Sequence, residues 1–284
     1  MSLYVNNAGT WTISKDIYVF NGTAWFEPSE TWINDNGTWK IVHKVINISA
    51  SVNDVNLYTL AGSPASPLRL KVNIASGITI GASSTANPAL TVGSFVSGSE
   101  ILLTNNGTIS GAGGVGAQAS NYGAGFVNSA GSGGPGVSTG VPITIANNGT
   151  INGGGGGGGQ GGWGTFRQTV TSGKTSTTYT YSTAGGGGGG GAGVAAGGGG
   201  TGGQGANYNG GNGLAGSATT GGAGGAAGGS GAGYGGAGGG PGVAGGSGQT
   251  VGSYWSTGGA AGNYIVGNSY VTWAATGTRN GGVA

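Results

Sequence analysis

Polar and apolar positions along the chain fall into three regimes. In residues 1–44, short aromatic and β-branched runs flank Asn and Gly: residues 4–13 around Asn7 and Gly9, 18–26 around Asn21-Gly22, and 32–41 around Asn36-Gly37. Asn and Gly accept the positive φ of a tight turn and the flanking residues suit strands, so three hairpins are predicted. Trp11, Trp25 and Trp39 recur at a spacing of 14, as if one element were used three times. Three hairpins in so short a stretch leave little room for a common core. Their tryptophans, with Trp32, either make that core or form a docking face, since Trp is a favoured anchor in protein interfaces. A unit repeated three times also suits the blunt end of a homotrimer.

Residues 45–110 carry short β-like runs at 45–48, 55–60, 68–74, 78–80, 89–92 and 100–103. Leu68-Arg69-Leu70-Lys71-Val72-Asn73-Ile74 alternates as a half-buried strand does. Ser63-Pro64 and Ser66-Pro67 mark loops, and nothing reads as an amphipathic helix. Asn105-Asn106-Gly107-Thr108-Ile109-Ser110-Gly111 is echoed by Asn147-Asn148-Gly149-Thr150-Ile151-Asn152-Gly153. Each copy leads from a β run into glycine, which predicts two similar ways into one glycine-rich domain.

Residues 111–284 are dominated by glycine, although β runs recur at 143–145 and, in the tail, at 264–266 and 270–273. Of 76 glycines, 68 lie beyond residue 104, in blocks of similar length separated by polar or aromatic segments. Collagen needs Gly at every third position and abundant Pro, and the chain has 7 Pro. A disordered linker has no need of uniform blocks. Ordering glycine costs roughly 1–2 kcal/mol per residue, and glycine has no side chain to bury in return. Packed polyglycine-II helices offset that cost: with three residues per turn and no internal bonds, their N–H and C=O groups point to neighbours. The unbroken runs 153–159 and 185–191 suit interior places, and blocks with Ala at intervals, such as 221–226, suit outer ones. The predicted fold is therefore mostly β and irregular. It comprises an N-terminal β-hairpin module (1–44), a β-rich linking section (45–110) and a bundle of packed polyglycine-II helices (111–284).

Composition narrows the chemistry. The six acids all lie at or before Glu100, and residues 111–284 hold only Arg167, Lys174 and Arg279 as charged groups, with no His. No general acid or base is present there, so no enzyme, cofactor or metal site is expected. Zero Cys excludes disulfides. No apolar run is long enough for a membrane span, the first residues lack a signal-peptide pattern, and a net charge of +2 gives no case for nucleic acid. Gly111-Ala112-Gly113-Gly114-Val115-Gly116 spells a dinucleotide fingerprint, yet no helix follows it. Gly173-Lys174-Thr175 resembles the end of a P-loop but has Gln168 where Gly is required. His43 reads as a packing or surface residue, and Glu27 and Glu30 as a solvated loop.

In an up-and-down stack of glycine rods, alternate connectors emerge at opposite ends. Counting from block 111–116, one set carries Tyr122 and Phe126, then Trp163, Phe166, Arg167, Tyr179 and Tyr181, then Tyr208, Tyr234, Tyr254 and Trp255. The other set is small or aliphatic. One end should therefore present an aromatic crown among Ser, Thr, Gly and Asn, a composition resembling an antibody paratope. The tail 263–284 falls at the plain end, where packing on the β section is expected. The alternative for the crown rings is that they only cap the rod ends.

The order of Trp-rich module, β section and glycine blocks resembles the tip adhesins of T-even-type bacteriophage long tail fibres, over the whole chain. That resemblance implies a virion protein at the tip of the long fibre. Its N-terminal module, with Trp11, Trp25, Trp32 and Trp39 as candidates, would dock on the distal end of a trimeric fibre protein. The glycine motifs around Gly111, Gly153 and Gly185 would form a polyglycine-II sandwich. Loops at its far end would bind a bacterial outer-membrane protein ahead of lipopolysaccharide, and so set host range. With few charges near the crown, binding should depend only mildly on salt. An ice-binding or structural glycine-rich protein with the same packing is the alternative.

Overall fold

The computed structural model describes residues 3–7, 10–14, 18–124 and 127–284, with side chains from residue 18 onward except 33 and 35. The chain opens with three antiparallel hairpins. They are β1 (Leu3–Asn7) with β2 (Thr10–Ser14), β3 (Val19–Phe20) with β4 (Trp25–Phe26), and β5 (Glu30–Asp35) with β6 (Thr38–Ile48). Asn36 and Gly37 turn the third hairpin at φ 52° and 86°, as the Asn-Gly pair requires. Asn21 Oδ1 accepts the amides of Thr23 and Ala24 in the second.

The second half of β6 leaves its hairpin and begins a parallel, three-faced solenoid. The first rung continues through β7 (Val52–Asn53) and β8 (Val55–Asn56). Asn56 then caps the helical turn α1 (Leu57–Leu60), its side chain accepting from Thr59 N at 3.2 Å. The run 55–60, predicted as one strand, is thus divided, because a capping Asn followed by Leu-Tyr-Thr-Leu closes a helical turn under the rung. The second rung is β9 (Arg69–Ile74), β10 (Thr79–Gly81) and β11 (Leu90–Thr91). The third is β12 (Glu100–Asn105), β13 (Thr108–Ser110) and β14 (Val137–Ser138). The fourth joins β15 (Ile143–Asn147) and β16 (Thr150–Asn152) to a distant strand described below.

Two insertions explain the spacing. The chain leaves the solenoid after β13 and returns at β14. It leaves again after β16, forms the long hairpin β17 (Gly164–Ser172) and β18 (Thr175–Thr183), and returns only at β19 (Asn263–Val266). The last rung is β20 (Val271–Ala275), β21 (Thr278–Asn280) and β22 (Gly282–Val283). The solenoid therefore draws 137–152 and 263–284 from within the glycine-rich stretch. Among the described residues strands dominate, and helix is confined to α1 and a single 3-10 turn at Asn268–Tyr270.

In-register parallel pairing stacks like on like. Val72 lies beside Leu103 and Leu103 beside Ile145; Ile80, Ile109 and Ile151 form a second column; Val55, Leu90, Val137 and Ile265 a third. Most of these side chains are fully buried, and each contributes about 1.5–3 kcal/mol of transfer free energy. The echoed Asn-Asn-Gly-Thr segments are successive corners of this stack. Buried Asn105 donates to Asn147 Oδ1 at 2.8 Å, and Asn147 donates to the carbonyls of Thr276 and Thr278. A buried amide ladder of this kind satisfies polar groups that would otherwise penalise the core.

The inserted glycine segments are held to one another by backbone hydrogen bonds. Along 153–162 the donors turn in a three-residue cycle. Gly154 and Gly157 donate to Gly134 and Gly131; Gly155, Gly158 and Gly161 to Ala192, Gly189 and Gly186; Gly156 and Gly159 to Val243 and Gly246. The same cycle runs through 186–193, aimed at 233–239, 211–217 and 114–117. Both segments also accept bonds from further neighbours, including 259–262 for the first and 197–203 for the second. Residues 153–162 and 184–193 are accordingly buried throughout, whereas 197–249 mix buried, half-buried and exposed positions.

Candidate functional site

Chain direction decides where the connectors lie. Gly114 donates to Gly155 and Ala117 to Gly158, so the segments after β13 and β16 leave the solenoid side by side. Gly154 to Gly134 and Gly157 to Gly131 run oppositely, so 131–136 returns. Alternation continues to 262, and the connectors near 120–124, 163–183, 206–209, 229–234 and 250–255 gather at the end away from the solenoid. The plain connector 194–196 sits against it, with Ala195 packed on the core.

The structure brings most of the candidate crown residues together in two ring clusters. Trp163 stacks on Tyr254 at 5.4 Å between centroids and meets Tyr122 edge-on at 4.9 Å. Its indole N–H donates to the Ala124 carbonyl, and its backbone pairs with Ser253. Phe166 stacks on Tyr181 at 5.0 Å, with Tyr208 against both and Tyr179 beyond. Tyr234 and Trp255 stand outside these clusters; Tyr234 is 57% exposed and Trp255 39%. Arg167 is exposed on β17. Phe126 lies outside the described residues.

Tyr254 adopts φ 61°, a left-handed conformation that a bulky residue occupies only when its surroundings impose it. Gln160 supplies that constraint. It interrupts the glycine run at a fully buried position, and its Nε2 donates to the Tyr254 carbonyl and to Ser120 Oγ. Its Oε1 accepts the Asn128 amide at 3.0 Å, and its own amide donates to Ser256 Oγ at 2.9 Å. One side chain thus ties two crown loops to the glycine segment that carries it. Gln160 carries no ring, and its signal in the sequence is a lone long polar residue inside a run of glycine.

The N-terminal hairpins form a second candidate surface. Trp25 is 69% exposed, Trp39 65% and Trp32 50%, and Tyr18, Phe20 and Phe26 are exposed beside them. These rings are not a core, which removes the first of the two readings for them. Trp11 is placed in β2 opposite Asn6, and its side chain lies outside the described residues. Just beyond, an apolar cavity of about 510 Å³ opens under the first rung, lined by Ile46, Ile48, Val52, Val55 and Leu60 among others.

Glu27 and Glu30 are not a solvated loop. Glu27 pairs with Lys71 at 2.5 Å and lies 3.4 Å from the buried His43, while Glu30 meets Lys44 at 2.9 Å. Glu27 ties the hairpin module to Lys71 on β9, and Glu30 pairs with Lys44, its cross-strand neighbour in the β5–β6 hairpin. The hydrogen bond from Lys44 holds the Glu30 carboxyl below its usual pKa, and bonds from Ser83 do the same for Asp54.

Among the described residues no cluster of His, Asp or Glu suits a metal ion, and no helix is long and apolar enough to cross a membrane. No curated protein matches the sequence. The fold is similar to the crystal structure of the gp37–gp38 adhesin tip complex of the bacteriophage S16 long tail fiber. The TM-score is 0.51 at 21% identity, over 85% of this chain and 82% of that one. Residues 43–284 match the family described as phage tail fibre adhesin Gp38. Family membership favours an adhesin over an ice-binding or purely structural protein and points to a non-enzymatic role on the virion. A strand-rich chain whose glycine segments present clustered rings at one end belongs to the Gp38 family of phage tail fibre adhesins.

Proposed function

We propose that this chain sits at the tip of a long tail fibre, docks through its N-terminal hairpins on a trimeric fibre protein, and grips a bacterial outer-membrane protein with its distal crown, so setting host range. The observation that carries the reading is the gathering of aromatic connectors at one end by alternating glycine segments. Rings held by a stiff base lose little freedom on binding, which favours affinity. The stiff base is read as a polyglycine-II bundle. The three-residue cycle of donors supports this, since a three-residue helix sends successive amides to different neighbours.

Docking at the opposite end is supported by the exposed Trp25, Trp32 and Trp39, with Trp11 as the fourth candidate. An aromatic patch with an apolar cavity beside it has the composition of a buried interface. The gp37–gp38 complex shows that a protein of this fold can be found assembled with a second fibre protein.

The test is adsorption to host cells. Trp255→Ala and Tyr179→Ala, both at exposed rings, should each weaken binding about tenfold or more, a hot-spot loss of roughly 1.4 kcal/mol, with unchanged melting. If the full set of exposed crown rings can be truncated without loss of adsorption, the crown is not the receptor surface. Trp25→Ala with Trp39→Ala should leave cell binding intact and abolish capture by the fibre trimer.

A further inference from the structure

Phe166, Tyr181 and Tyr208 pack at the base of the long hairpin, with Tyr179 next along β18. Beyond them β17 and β18 are exposed on both faces to the turn at Gly173. Nine-residue strands reach about 30 Å, and an isolated two-stranded ribbon is marginal in water. Which backbone groups are open follows from the pairing. The Ser182 amide donates to Asn207 Oδ1 at 2.8 Å and its carbonyl accepts from the amides of Asn207 and Tyr208, so Ser182 faces away from β17. Backbone direction alternates along a strand, so Thr180, Thr178 and Ser176 present the same outward N–H and C=O. Residues 207–208 already lie along the base of this edge as a short parallel strand, bridging Thr183, and stop there.

The rest of that edge has none of the devices that blunt an exposed strand: no Pro, no bulge and no charge between Ser176 and Thr180. The hydroxyls of Thr169 and Thr178, and of Thr171 and Ser176, bond each other across the ribbon at 3.0 and 2.9 Å. The ribbon's ionic groups are Arg167, opposite Thr180, and Lys174 in the turn, and residues 111–284 hold no acid. Edge-to-edge pairing of two copies would bring these cations together, which disfavours a second copy as occupant. An extended segment bearing Asp or Glu complements both the open amides and the charge.

We infer that the edge Ser176–Thr180 takes up an extended acidic peptide segment of the receptor as an added strand, in line with the one Asn207 and Tyr208 begin. This rests on the reading of the crown as the receptor surface and names how a surface protein would be held. The test uses the full chain and outer-membrane vesicles from the host strain. Thr178→Pro and Ser176→Pro each remove an outward N–H while leaving the inward bonds of the hairpin, and each should weaken binding about tenfold or more. Thr178→Ala, and Thr169→Pro on the opposite edge, should stay within about threefold of wild type. Reversing both cations (Arg167→Glu with Lys174→Glu) should cost about fivefold. Amide spectra of residues 164–183 verify that each variant keeps its hairpin.

Wild-type binding by both edge prolines, or equal loss on the opposite edge, overturns the assignment. Undiminished binding to protease-shaved vesicles overturns a peptide partner and points to a glycolipid instead. Should the wild-type chain itself leave the vesicles unbound, the receptor reading fails and this inference falls with it.

Discussion

A matched pair of glycine-to-alanine substitutions tests the packing on which the crown depends. At Gly188, in an interior segment, an added Cβ would stand 1.9 Å from the Gly158 carbonyl oxygen and 2.4 Å from its carbon. Both partners are backbone, so no side chain can swing aside. Restoring an ordinary contact of about 3.4 Å would part the two segments by about 1.5 Å. That movement breaks the bonds from Gly158 to Gly189 and from Gly188 to Ala117, now 2.7 and 2.8 Å. Two lost bonds at roughly 0.5–1.5 kcal/mol each, with overpacking strain of roughly 1–3 kcal/mol, give a destabilisation of about 2–6 kcal/mol. At Gly198, which is exposed, the same Cβ meets nothing within 4 Å. Gly198→Ala should therefore be neutral or stabilise by up to about 1 kcal/mol, through the lower entropy of its unfolded chain. Thermal unfolding reads the difference: with about 2–4 °C per kcal/mol in proteins of comparable size, Gly188→Ala should melt about 4–28 °C below Gly198→Ala. Equal melting temperatures would refute the close backbone packing, and with it the stiffness attributed to the rods.

Gln160→Ala removes the bonds to Ser120, Asn128 and Tyr254 in a buried place. It should destabilise by about 1–3 kcal/mol, weaken receptor binding and change near-ultraviolet dichroism from the Trp163–Tyr254 stack. Trp25→Ala and Trp39→Ala should shift stability by less than about 0.5 kcal/mol, since both rings are mostly in water; calorimetry checks this independently of docking. Acid should loosen the hairpin module. Because the folded pKa of Glu30 is lowered, its contribution is present above the ordinary carboxylate value of ~4.3 and is lost as pH falls through the lower folded value. Tryptophan fluorescence should report the change, and Glu30→Gln should flatten it.

Hairpin turns were legible because their chemistry is local: Asn36-Gly37 takes positive φ at both residues, and in Asn21-Gly22 the glycine takes it while the Asn side chain accepts the amides that follow. Direction among the glycine segments was equally open to counting, since each block must reverse before the next begins. The solenoid was not visible. Its second and third faces use strands of two to four residues, too short to show a period of two. The ion pair of Glu27 with Lys71 was hidden for a related reason, as it joins a loop to a strand 44 residues away.

What the sequence by itself determined is which segments can be approached on every side, because the absence of a Cβ is written into each residue and needs no context. It also determined which connectors carry rings. Only the tertiary structure decided that 263–284 completes the solenoid, with Ile265 beside Val137 and Arg279 beside Ile151, and that Gln160 fixes the strained Tyr254. Parallel pairing and buried amide bonds join residues whose separation is set by whatever lies inserted between them, so no local pattern records the partner.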